Sequence, residues 1–86
     1  MESEQSEAQR LAKLRWRCRR GMKELDVVLT RYLDRDYMRA SAGVRAAFET
    51  LLQQPDPDIL DYVLQRVTPK SKELADVVAR LNAADR

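Results

Sequence analysis

The sequence contains no histidine and a single cysteine among its 86 residues. Without histidine there is no side chain that ordinarily exchanges a proton near neutral pH, and no Ser-His or Cys-His nucleophile pair can form within the chain. No His/Cys cluster is present to hold zinc or haem. A lone Cys18 forms no intramolecular disulfide and fits a reducing compartment. Glycine and proline are scarce, two and three residues, and aromatics make up 6%. Few β-branched or aromatic residues alternate, so a sheet has little to build on. No apolar run approaches the roughly 20 residues of a membrane span. The first nine residues, MESEQSEAQ, hold three acids and no base, unlike a signal or transit peptide. The expected location is the cytoplasm of a bacterium, and an independent enzyme is not expected. Asp56 and Asp58 are paired carboxylates, but on a polar turn they read as helix-starting residues rather than an acid–base pair.

What the chain has in abundance is positive charge in one place. Residues 10–23 carry seven basic residues and no acid, whereas the first nine carry −3 and residues 24–86 carry −2. The net charge of +2 therefore conceals a basic segment. Two or three of these charges suit the negative end of a helix dipole. Seven repel one another, which favours a surface made to meet a partner. A basic patch with one aromatic could also bind nucleic acid through phosphates and stacking. The net-acidic remainder and the lack of a recognition-helix motif make nucleic acid the alternative reading, and no nucleic-acid partner is expected.

Hydrophobic spacing predicts an all-α fold, a compact five-helix bundle in a single domain over residues 1–86, with 1–5 and 84–86 frayed. Helix one is expected over 6–19, capped by Ser6 or Ser3, with Ala8, Leu11, Leu14 and Cys18 inward. Trp16 lies roughly 140° around from Leu11 at 3.6 residues per turn, off the apolar stripe and among the arginines. Gly21 breaks the helix, where a left-handed backbone costs glycine little. Helix two is expected over 22–36, burying Met22, Leu25, Val28, Leu29, Tyr32 and Leu33, with Glu24 and Asp26 in its first turn. Ser41 caps helix three, whose stripe is Val44, Ala47, Phe48, Leu51 and Leu52. Asp56 before Pro57 reads as N-cap and first helical residue of helix four, with Ile59, Leu60, Val63, Leu64 and Val67 inward. Thr68 before Pro69 repeats that signal for helix five, with Leu74, Val77, Val78 and Leu81.

The stretch Trp16-Arg17-Cys18-Arg19-Arg20-Gly21-Met22-Lys23-Glu24-Leu25-Asp26 resembles the signature of the succinate dehydrogenase flavinylation (assembly) factor family, whose hallmark is Arg-Gly, two variable residues and Glu. Phe48, Leu51, Leu52 and the acidic turn Asp56-Pro57-Asp58 resemble a later part of the same pattern. Tyr62 stands where many members carry Trp, and Lys13 where Arg is expected. The resemblance implies a small five-helix bundle that is not itself an enzyme. Its partner would be the flavoprotein subunit of succinate dehydrogenase, or of the related fumarate reductase. It would promote covalent attachment of FAD to a histidine of that client, with no cofactor bound stably by the factor. The implied partner-binding residues are Arg20, Gly21 and Glu24, with Arg19, Trp16, Met22, Asp26, Lys13 and Arg17 around them. Such a factor is expected to act as a monomer. Read from composition alone, Glu24 is first of all a carboxylate serving the free N–H groups of helix two, and Cys18 a small buried residue whose pKa the arginines would lower.

Overall fold

The computed structural model describes residues 6–84, and among these there are five α-helices, one short 3-10 turn and no strand. Helix α1 spans Glu7–Arg17, α2 Lys23–Arg35, α3 Ala42–Leu51, α4 Asp56–Val63 and α5 Lys72–Ala84, with the 3-10 turn at Tyr37–Arg39. Of the ends expected to fray, residues 1–5, 85 and 86 lie outside the described residues, and Ala84 is the last residue of α5.

The starts of α1 and α3 follow from capping chemistry. The Ser6 hydroxyl accepts the Gln9 N–H at 3.2 Å while the Gln9 side chain accepts the Ser6 N–H at 3.1 Å, a reciprocal capping box. Ser41 accepts the Val44 N–H in the same way at the head of α3. Two other starts differ from expectation. Pro55, not Asp56, is the N-cap of α4, so Asp56 and Pro57 are its first two helical residues. The Asp56 carboxylate is thereby released from capping and engages Arg20 instead. Helix α5 begins at Lys72 rather than at Thr68-Pro69. Ser71 accepts the Leu74 N–H at 3.3 Å, and Pro69 is buried in the connection.

The apolar stripes converge on one core. Leu14 and Cys18 of the α1 end, Leu25, Val28, Leu29, Tyr32 and Leu33 of α2, Phe48 and Leu51 of α3, Ile59 of α4, and Val77 and Leu81 of α5 are all buried. Ala8, assigned to the inward stripe, is exposed. Helix α5 packs against α3, α2 and α4, while α1 lies on α2. Phe48 sits centrally, with ring centroids of Tyr32 and Tyr37 at 4.9 and 5.7 Å in tilted geometry. Tyr37, unremarked in the sequence, is anchored by a 2.6 Å hydrogen bond to Glu49, and the Arg45 guanidinium lies 5.4 Å from its ring centroid.

Helix α4 stops at Val63, earlier than its apolar spacing suggested. The Gln65 N–H donates to the Tyr62 carbonyl and the Arg66 N–H to the Asp61 carbonyl, which closes the helix end around a left-handed Gln65. Leu64 and Val67, expected inside, are exposed in consequence.

Candidate partner-binding site

The basic segment ends at a corner where α1 hands over to α2. The last turn of α1 tightens as the Cys18 N–H reaches both the Leu14 and Arg15 carbonyls, ending the helix at Arg17 rather than Arg19. Gly21 follows at φ +84°, a conformation that L side chains rarely adopt. Nothing lies within 4 Å of where its Cβ would be, so the glycine is required by backbone conformation and the space above it is open.

The side chains at this corner divide into two sets. Lys13, Trp16, Arg17, Arg19, Gly21 and Glu24 are exposed. Trp16 is 75% exposed, the most open large hydrophobic among the described residues. It separates two shallow hollows. One, of about 630 Å³, is shared with Gln9, Ala12, Lys13 and Arg17; the other, of about 420 Å³, with Ala12, Arg15, Arg19 and Thr30. A tryptophan exposed in a positive field, apolar in body with a polar N–H, is the kind of side chain that anchors contacts between proteins. Arg15 is different, being tied to Asp34 on α2, which raises its pKa mainly through that hydrogen bond.

The second set is turned inward. Met22 packs partly against the core. Asp26 accepts the Arg20 backbone N–H at 2.7 Å, bridging the turn. The Arg20 side chain, only 14% exposed, runs back into the protein. Its Nε donates to Asp56 at 2.8 Å, Nη1 to the carbonyls of Arg17 and Leu52 at 2.8 and 2.9 Å, and Nη2 to the Gln54 carbonyl at 3.0 Å. The guanidinium thus ties the end of α1 to the α3–α4 turn. Sequence reasoning placed Arg20 at this corner without showing its inward course. It did not connect Asp56 to the corner, because the two residues stand 36 positions apart.

Glu24 is the second residue of α2 and makes no hydrogen bond or ion pair among the described residues, so the back-reaching capping role is not observed. Cys18 is fully buried, and burial pushes its thiol up to about 12 despite the opposing fields of Arg20 and Arg15. The arginines do not activate it; desolvation outweighs them. Among the described residues no group of three or more His, Cys, Asp or Glu could hold a metal ion. No helix there is long and apolar enough to cross a membrane. A further hollow of about 560 Å³ between α4 and α5, bordered by Tyr62, Val67, Pro69 and Val78, shares no residue with the corner.

An open glycine turn, a projecting tryptophan and charges without partners among the described residues, set beside a buried thiol, make up a surface of the kind that suits docking on another macromolecule. Residues 12–85 match the family model Sdh5, flavinator of succinate dehydrogenase. Proteins named FAD assembly factor SdhE are similar over most of their length. The one from Coxiella burnetii is 39% identical over 80% of this chain and 84% of its own. That from Acinetobacter baylyi is 38% identical over 80% and 81%, and that from Pectobacterium atrosepticum 31% over 87% and 85%. The chain belongs to this family of FAD assembly factors, which assist flavinylation without being catalysts themselves.

Proposed function

We propose that this protein uses the α1–α2 corner to bind the flavoprotein subunit of succinate dehydrogenase, and of fumarate reductase where one is present, and so promotes covalent attachment of FAD to a client histidine. The observation that carries this reading is the open left-handed Gly21 flanked by Trp16, Arg19 and Glu24, all exposed. Trp16 anchors the contact, and Lys13, Arg17 and Arg19 meet acidic or carbonyl groups of the client. Gly21 lets the client's backbone approach, Glu24 orders its polar groups, and Met22, Asp26 and Arg20 hold the turn in shape. The factor works in the bacterial cytoplasm as a monomer, and FAD remains the client's cofactor throughout.

The physical basis is selection of one client conformation. A binder that prefers the state in which flavin ring and histidine are aligned raises the population of that state by its differential affinity. Alignment of reacting groups is worth up to about 7–11 kcal/mol of barrier in the best intramolecular cases. The factor need supply no reacting group, which suits a chain without histidine.

The test is covalent flavin on the client subunit, read by in-gel fluorescence in cells lacking the gene and in cells restored with wild type or with Gly21→Arg. Loss in the deletion, with rescue by wild type alone, is the expected result. Equal flavinylation in all three strains refutes the reading.

A further inference from the structure

We infer that Asp56 is a positioning residue of the docking corner, acting through Arg20 on the backbone around Gly21. This rests on the docking function proposed above and adds to it a residue that lies outside the corner's own sequence segment.

The geometry is that of a clasp. Three of the four acceptors on the Arg20 guanidinium are neutral carbonyls; Asp56 is the one charged acceptor. The carbonyls of Arg17 and Leu52 lie at the C-terminal ends of α1 and α3, where partial negative charge gathers. Asp56 enters from the first turn of α4. Three helices therefore converge on one planar cation, and the directions of its donors suit an arginine fork rather than a lysine. The Arg20 backbone N–H is meanwhile held by Asp26 at 2.7 Å. The residue before Gly21 is thus fixed through both main chain and side chain, while Gly21 itself makes no main-chain hydrogen bond among the described residues and has open space where a Cβ would be. The orientation of the open turn is set from the Arg20 side, and the Nε–Asp56 bond orients the guanidinium plane.

Asp58 provides an internal control. It shares the first turn of α4 with Asp56 and the positive end of the same helix dipole, but is exposed and makes no hydrogen bond or ion pair with Arg20. A role confined to starting α4 would make the two acids equivalent.

The experiment measures, for the full-length chain, affinity for the flavoprotein subunit lacking covalent flavin, alongside thermal midpoints. The variants are Asp56→Ala, Asp58→Ala, Trp16→Ala, Glu24→Ala and the double Arg20→Met/Asp56→Ala. The double variant removes the mostly buried charge together with its charged partner, so it should be more stable than Asp56→Ala alone. We expect Asp56→Ala to weaken binding by about tenfold, a size usual for coupled neighbours, and Asp58→Ala to bind as wild type. The double variant should regain thermal stability yet remain a weak binder, since the clasp is gone. Recovery of affinity together with stability would overturn the inference, as would equal losses for Asp56→Ala and Asp58→Ala. So would unchanged binding by Asp56→Ala while Trp16→Ala and Glu24→Ala bind poorly. Unchanged binding by those last two variants is a separate failure, that of the docking surface, and the inference falls with it.

Discussion

Among the described residues two left-handed ones join helices, Gly21 at φ +84° after α1 and Gln65 at φ +62° after α4. The second turn is closed by local main-chain bonds, from Gln65 to Tyr62 and from Arg66 to Asp61. It accepts a glutamine even though a side chain in that conformation costs on the order of 1–2 kcal/mol. The first turn also has a local main-chain bond, from Arg19 to Trp16, but is held further by side chains: Asp26 of α2 takes the Arg20 N–H, and Asp56 from α4 reaches Arg20 from 36 positions away. It carries no side chain of its own, in open space where one would meet nothing. A left-handed residue with local closure is punctuation. With long-range closure, and exposed aromatic and charged neighbours, it is a surface that the fold presents.

The largest effect should come from giving both turns the same side chain. Gly21→Arg introduces backbone strain of about 1–2 kcal/mol without a clash, so the bundle should stay folded, while client binding and flavinylation are abolished. Gln65→Arg exchanges one non-glycine residue for another and should leave both intact. Circular dichroism, a pull-down with the flavoprotein subunit and in-gel flavin fluorescence check the pair. Loss of flavinylation with Gln65→Arg would break the comparison. Next in size, Glu24→Ala should lower the flavinylation rate several-fold, on the order of the 1.4 kcal/mol that corresponds to a tenfold change. Its thermal midpoint should barely move, because the carboxylate has no partner among the described residues. A lowered midpoint at unchanged rate would return Glu24 to a helix-stabilising role.

Alkali should also tell the two turns apart, more weakly. The Cys18 thiol lies beneath the corner with its pKa raised from 9.0 to about 12, chiefly by burial. The folded state therefore holds its proton where the unfolded chain has lost it, and stability falls as pH rises from about 9 towards 12. Tyr37, also raised to about 12 by burial and its bond to Glu49, contributes to the same fall. Trp16 is the only tryptophan and stands two residues before Cys18, so its fluorescence reports on the corner. Cys18→Ala should shift the alkaline fluorescence midpoint upward and leave the tyrosine-dependent part in place. An unmoved midpoint would remove Cys18 from the alkaline transition.

Sequence pattern alone made α2 and α3 legible almost to the residue, because an uninterrupted apolar stripe lies between clear stops: Gly21 before α2 and the cap Ser41 before α3. The basic corner was legible too, since charge segregation survives in one dimension. The region from Asp56 to Ser71 was not. Asp-Pro and Thr-Pro each look like a cap followed by a first helical residue. In the structure, though, Pro55 and Ser71 take the capping positions, and Asp56 and Pro69 serve long-range contacts and burial. The end of α4 was missed because the residue that stops it is a glutamine, not a glycine, and Leu64 and Val67 continue the apolar spacing beyond it. The inward turn of Arg20 was beyond reach for a different reason. Its partners come from Arg17, Leu52, Gln54 and Asp56, and no local spacing rule joins residue 20 to residues 52–56.

The smallest effect expected is a gain. Gln65→Gly removes the left-handed penalty of a Cβ at the α4 end but gives the unfolded chain more freedom, and the two effects oppose one another. The penalty is the larger because the closing bonds already hold this residue in its unusual conformation, so a net stabilisation of about 0.5–1 kcal/mol should result. Urea unfolding with an unchanged slope would show it as a shifted midpoint. Flavinylation should stay at the wild-type rate, because Gln65 borders the α4–α5 hollow and not the corner. Unchanged or lower stability would mean that the glutamine side chain makes good its backbone strain through contacts in that hollow. The α4 turn would then be more than punctuation, and the contrast with Gly21 would narrow to what each turn presents to a partner.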